Sequence, residues 1–113
     1  MKNILVPIGS SENSINTLQY AIDFAKEVGA NVYVLRAYNA QSKAGTMIDV
    51  NAILERESNL YMRSMINSVD RKGLDIQLIS AKGNVIDSIA AVGKEVGVDL
   101  IMMGPKSNSI KEE

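Results

Sequence analysis

The sequence has no cysteine and no histidine. Without cysteine there are no disulfides, no thiolate nucleophiles and no cysteine-based zinc sites. Without histidine the chain loses the commonest general base, the commonest metal ligand and any Ser-His-Asp triad. Tryptophan is absent too, and aromatics make up only 4%, so no stacking platform for single-stranded nucleic acid is expected. Charge of one sign is also lacking. Lys+Arg number 12 against 13 Asp+Glu, a net charge of -1, which leaves no global positive field to hold nucleic acid or an anionic membrane. Long hydrophobic runs are missing, and nothing approaches the roughly 20 apolar residues of a membrane span. Residues 1–8 carry one positive charge and a short apolar run interrupted by Pro7, which does not fit a signal peptide. The expected location is cytoplasmic, with neither nucleic acid nor membrane as a partner.

What is present describes an ordinary folded domain. The 113 residues are 46% hydrophobic and 22% charged, which suits a single domain over 1–113 and excludes wholesale disorder. Four short apolar runs stand out, at 3–8, 31–37, 74–80 and 98–103. Each shows little alternation, as a parallel strand covered on both faces would. Helical patterns lie between them. Over 12–28 the apolar stripe is Ile15, Leu18, Ile22 and Ala25, with Ser11 as N-cap and Gly29 as closing residue. Over 49–72 it is Leu54, Tyr61, Met62, Met65, Ile66 and Val69, closed by Gly73. Over 85–96 it is Ile86, Ile89, Ala90 and Gly93, between Asn84 as cap and Gly97.

Strand and helix therefore alternate, beginning and ending with a strand. That order predicts an α/β fold: a doubly wound, Rossmann-like parallel sheet between two helical layers, with right-handed crossovers. Residues 39–48 show no periodicity and read as a mobile loop.

In such a sheet, ligands bind beyond the carboxyl ends of the strands, where strand order reverses. With the first strand central, the loops at 9–14 and 104–109 face each other there. Both are small, polar and rich in Gly or Ser. They suit backbone N–H groups approaching an anion, with Lys106 adding charge. They equally suit any tight strand-to-helix turn. No Walker A loop and no G-x-G-x-x-G spacing occurs. Met62, Met65, Met102 and Met103 read as core filler. Asp87 reads as a charge at a helix start and Asp99 as a turn residue. Glu55, Arg56 and Glu57 read as a solvated face. Nothing assembles a nucleophile, base and oxyanion site.

Three separated segments resemble universal stress protein domains. They are Asn3-Ile4-Leu5-Val6-Pro7-Ile8 with Ser11-Glu12-Asn13-Ser14, then Gly83-Asn84-Val85, then Val98-Asp99-Leu100-Ile101-Met102-Met103-Gly104. The resemblance runs over nearly the whole chain. It implies an adenine-nucleotide alpha hydrolase-like sheet of strand order 3-2-1-4-5 that usually dimerises through its last strand. Many members bind ATP or AMP, and members act as stress-adaptation modules rather than clear enzymes. Pro7, Gly9, Ala37, Met103, Gly104 and Ser107 align with the family's nucleotide contacts. Pro7 and Ala37 would offer apolar or backbone contact to adenine.

The chain departs from that pattern at several points. Gly9 stands where nucleotide-binding members carry an Asp that contacts adenosine, and Ser10 where a glycine is usual. Gly104 keeps the first glycine of the phosphate loop, while the second falls on Ser107. The closing Gly-Ser pair and the usual fifth strand would lie past Glu113. The expected order is therefore 3-2-1-4. The last strand's open edge implies a fragment of a longer protein, or a homodimer or other protein partner covering that edge. Two readings follow: a non-catalytic, dimerising regulatory module, or an ATP- or AMP-binding domain using the crevice between the first and last strands. Weak ATP hydrolysis is the one enzymatic activity the residues leave room for.

Overall fold

The computed structural model describes residues 2–9, 13–39 and 49–104. Ile4, Leu5 and Val6 are wholly buried, as a strand apolar on both faces requires when it lies mid-sheet between helices. They form β1 (Asn3–Pro7). It is followed by α1 (Asn13–Val28), β2 (Asn31–Tyr38), α2 (Val50–Asn67), β3 (Ile76–Lys82), α3 (Val85–Val96) and β4 (Leu100–Ile101). The sheet is parallel throughout, in the order β3-β2-β1-β4, as the alternation implied.

The chain steps from β1 to β2 to β3 in one direction and then crosses back to β4. Right-handed crossovers therefore put α1 and α2 on one face and α3 on the other. The larger core lies under α1 and α2, where Ile4, Val6, Val32 and Val34 meet Leu18, Ile22, Met62 and Ile66. The core under α3 is smaller, formed by buried Leu5, Leu35 and Val92.

Several sequence expectations need correcting. In α1 the buried stripe is Ser14, Leu18, Ala21, Ile22 and Ala25, whereas Ile15 is exposed. Stepping back one turn from Leu18 reaches position 14, so the face is set by the residues already inside. The proposed cap Ser11 lies outside the described residues, as do 40–48 of the proposed loop. Asp49 caps α2 by accepting from the Ala52 N–H at 3.1 Å. The helix stops at Asn67, five residues short of Lys72. Both the hydroxyl and the N–H of Ser68 bond to the Met65 carbonyl, at 2.9 and 3.0 Å, which closes the last turn. In α3 the buried face is Ser88 and Val92, and Ile86 is 68% exposed. One helix covers a sheet face with only its innermost residues, so the rest of its apolar side stays in water.

The strands also shift. β3 begins at Ile76 rather than Leu74 and runs to Lys82. β4 spans two residues, and Ile101 and Met103 are 44% and 53% exposed. The run 98–103 is therefore not covered on both faces: Leu100 and Met102 pack on the larger core, while Ile101 and Met103 stay exposed. The core-filler reading holds for Met62 and Met65, and Met102 packs half-buried against the larger core. It fails for Met103. No helix of the described residues is long and apolar enough to cross a membrane.

Both carboxylates assigned structural roles have them. Asn84 accepts from the Asp87 N–H at 2.8 Å and donates to its carboxylate at 2.8 Å. Asp99 accepts from the backbone N–H groups of Lys2 and Asn3 at 2.9 and 3.0 Å. The Asn3 amide in turn donates to Val96 and Gly97 carbonyls at 2.9 and 3.2 Å. This fastens the amino edge of β1 to the turn entering β4. The hydrogen bonds from Asn3 and Lys2 hold the Asp99 carboxyl below its ordinary 3.8.

A depressed folded value contributes stability that is full above the ordinary value. It is lost as pH falls through the depressed one. Asp23, lowered by hydrogen bonds from Lys72 and Gln19, acts with the same sign. Asp99→Asn is therefore expected to lower the melting temperature at neutral pH and to shrink its fall on acidification below about pH 4. Thermal melts across pH check this. An unchanged acid limb would remove Asp99 from the account.

Candidate functional site

Strand order reverses between β1 and β4, which places the candidate site at their carboxyl ends. Pairing register shows what gathers there. Pro7 lies opposite Leu35 of β2, and Leu5 opposite Ile101 of β4. Carried forward two residues in parallel, these registers set Gly9 beside Ala37 and Pro7 beside Met103. Pro7, Gly9, Ala37, Met103 and Gly104 thus lie along one edge, on three adjacent strands. Side-chain alternation puts Pro7, Ala37 and Met103 on the α3 face. Pro7 is buried, Ala37 half-buried and Met103 exposed. Ser107 lies outside the described residues, as do Ser10 and Lys106.

Gly9 is tied into the protein at both of its backbone polar groups. Its N–H donates to Ser14 Oγ at 3.1 Å. Its carbonyl accepts from the Tyr61 hydroxyl at 3.1 Å and from Ser14 Oγ at 3.4 Å. The guanidinium of Arg36 stands over the Tyr61 ring, 4.3 Å from its centroid, within cation–π range. An anion cannot take the Gly9 N–H without displacing Ser14. Of the loop's expected amide donors, this one is spent.

Neither edge glycine is explained by conformation, since neither has a positive φ. A side chain at Gly9 would meet nothing within 4 Å among the described residues. At Gly104 a Cβ would collide with Thr17 Oγ1. Gly104 is thus needed for close approach to α1, whether or not a ligand is bound. Next to it a shallow pocket of about 400 Å³ opens between α1 and β4, lined by Asn16, Thr17, Tyr20, Ile101 and Met102 to Gly104.

Among the described residues no group of three or more His, Cys, Asp or Glu could hold a metal ion. Tyr38 closes β2 at this edge. Desolvation, with Glu55 and Asp49 adding to it, pushes its hydroxyl up, so it remains protonated and is no base at neutral pH. Glu55, Arg56 and Glu57 are exposed on α2.

Sequence reading put Ser14 in the 9–14 loop without assigning it a role, and missed Thr17, Arg36 and Tyr61. Ser14 had a signal, being one turn before Leu18. Tyr61 carried none, since it meets Gly9 from 52 residues away.

Comparison with known proteins agrees with the fold. The chain is 23% identical over 108 residues to universal stress protein MJ0531 of Methanocaldococcus jannaschii, covering 91% of this chain. It spans 64% of the length of that curated relative. A universal stress protein family structure from Burkholderia pseudomallei superposes with a TM-score of 0.76 at 18% identity, covering 98% of this chain and 85% of that one. The universal stress protein of Archaeoglobus fulgidus in complex with dAMP gives 0.64 at 22% identity, covering 92% and 81%. The fold is the adenine-nucleotide alpha hydrolase-like one. The model of the universal stress protein family matches residues 1–112, and with the 3-2-1-4 parallel sheet this shows that the chain belongs to that family.

Proposed function

We infer that this domain is a non-catalytic regulatory module of stress adaptation. It pairs with a second copy of itself, and its edge crevice takes an adenine nucleotide only weakly. One observation carries the weak binding: the Gly9 N–H and carbonyl are both used inside the protein. Position 9 also brings no carboxylate to contact an adenosine portion. Self-association is supported by β4, which pairs only with β1 among the described residues and lies beside exposed Ile101, Met103 and Tyr20. An open strand with apolar neighbours recruits another chain.

A second reading is micromolar binding of AMP or ATP. The apolar strip of Pro7, Ala37 and Met103 favours it, as it offers a flat surface to a purine. The dAMP complex of the Archaeoglobus fulgidus protein favours it as well.

Calorimetric titration with AMP and ATP decides between them. No saturation at micromolar ligand is expected, and saturation there would establish the second reading. Sedimentation is expected to show a dimer, and a clean monomer at high concentration would remove the pairing. Steady phosphate release from ATP would overturn the non-catalytic assignment.

A further inference from the structure

Tyr61 reaches across the sheet to touch the candidate site. It sits on α2, which packs on β2 and β3, yet its hydroxyl ends on the Gly9 carbonyl beyond β1. The strip of Pro7, Ala37 and Met103 faces the other side of the sheet, towards α3. The hydrogen bond therefore draws the Gly9 carbonyl oxygen to the α2 face, away from the strip. Arg36 is on β2 in the alternation of Val32 and Val34, which face α1 and α2, and its guanidinium covers the Tyr61 ring. A phenol ring with a cation on its face and its hydroxyl engaged has little freedom to turn.

We propose that Tyr61 is a positioning residue for the crevice, with Arg36 clamping its ring and Ser14 holding the Gly9 amide from the α1 side. The clasp sets the Gly9 peptide so that no carbonyl oxygen faces the occupant. A carbonyl dipole turned towards the strip would repel a phosphate or the electron-rich edge of a purine. The clasp also joins the crevice to α2: an occupant that shifts Gly9 strains the Tyr61 bond, and a change at Tyr61 alters the crevice by the same linkage. This rests on the crevice being a weak nucleotide site, the reading given above.

The test uses Tyr61→Phe, which keeps the ring and the Arg36 contact and removes only the hydroxyl. In the unliganded full chain, the carbonyl carbon resonance of Gly9 is expected to move upfield as its hydrogen bond is lost, with the melting temperature near that of the parent. An unmoved Gly9 carbonyl would overturn the clasp. Titration with millimolar AMP, followed by amide shifts, is the second arm. Parent protein is expected to bind weakly and Tyr61→Phe about fivefold more weakly, the factor set by one hydrogen bond. Equal binding by the two proteins would overturn the positioning role even if the carbonyl moves. No AMP response in the parent would overturn the nucleotide reading of the crevice and with it the link to an occupant, while the carbonyl shift still decides the clasp. Arg36→Lys keeps the charge and loses the planar stack. It should give the same changes in smaller measure, which separates clamping from simple charge.

Discussion

Gly9→Asp is expected to raise affinity for AMP about tenfold, the worth of one hydrogen bond to a charged group. The structure permits the change. Among the described residues nothing lies within 4 Å of the position a Cβ would take, and φ there is not left-handed. The bonds to Ser14 and Tyr61 use only Gly9 backbone atoms, so the aspartate need not break them. Nucleotide-binding universal stress proteins carry an Asp at this place, contacting the adenosine portion. Adenosine should accordingly gain by the same factor as AMP, and inorganic phosphate should gain nothing. Calorimetry with the three ligands checks the pattern. Equal affinity before and after the substitution would mean that the edge no longer has the shape of an adenosine site.

Gly104→Ala is expected to destabilise the protein by about 1–3 kcal/mol, the cost of forcing a methyl into filled space. The obstruction is specific. The new Cβ would collide with Thr17 Oγ1 and sit 3.6 Å from the Asn13 carbonyl oxygen. Relief must come from turning the Thr17 side chain to another rotamer or from moving α1. Urea unfolding should show a lower midpoint at unchanged slope. Thr17→Ala removes the offending oxygen, so Gly104→Ala should cost much less in that background. A double-mutant cycle measures the coupling. An additive cycle would mean that the closeness of Thr17 is not what demands glycine. The distinction matters for reading the family pattern, because a coupled cycle would give Gly104 a reason independent of any phosphate.

Much of the fold could be read because its signals are local. Gly29 and Gly97 end α1 and α3 with φ of 72° and 68°, as their places after apolar helical runs implied. Ile4, Leu5 and Val6 lack alternation and lie buried mid-sheet. Helix faces were harder. Ile15 and Ser14 are neighbours, and period alone does not say which turns inward when both extend the stripe. In α3 nearly every residue is small or apolar, so the sequence offers many stripes and the sheet chooses one.

The candidate site divides the same way. Pro7, Gly9, Ala37, Met103 and Gly104 come to one edge because parallel strands in the order β3-β2-β1-β4 end together. The alternation of strands and helices implies a parallel sheet whose strands end together, while the strand order itself was implied by the resemblance to universal stress proteins and is set by the pairing. Whether the Gly9 amide is free, why Gly104 lacks a side chain, and how α2 touches the crevice depend on contacts across 5, 87 and 52 positions. Residue order determined the parallel layers and the carboxyl-end side where a ligand would sit, since those rest on periodicity and chirality, while the strand order came from the family resemblance and from pairing across the sheet. Only the tertiary structure decided which backbone groups at that edge remain available, because a hydrogen bond between distant residues depends on distances that no local pattern encodes.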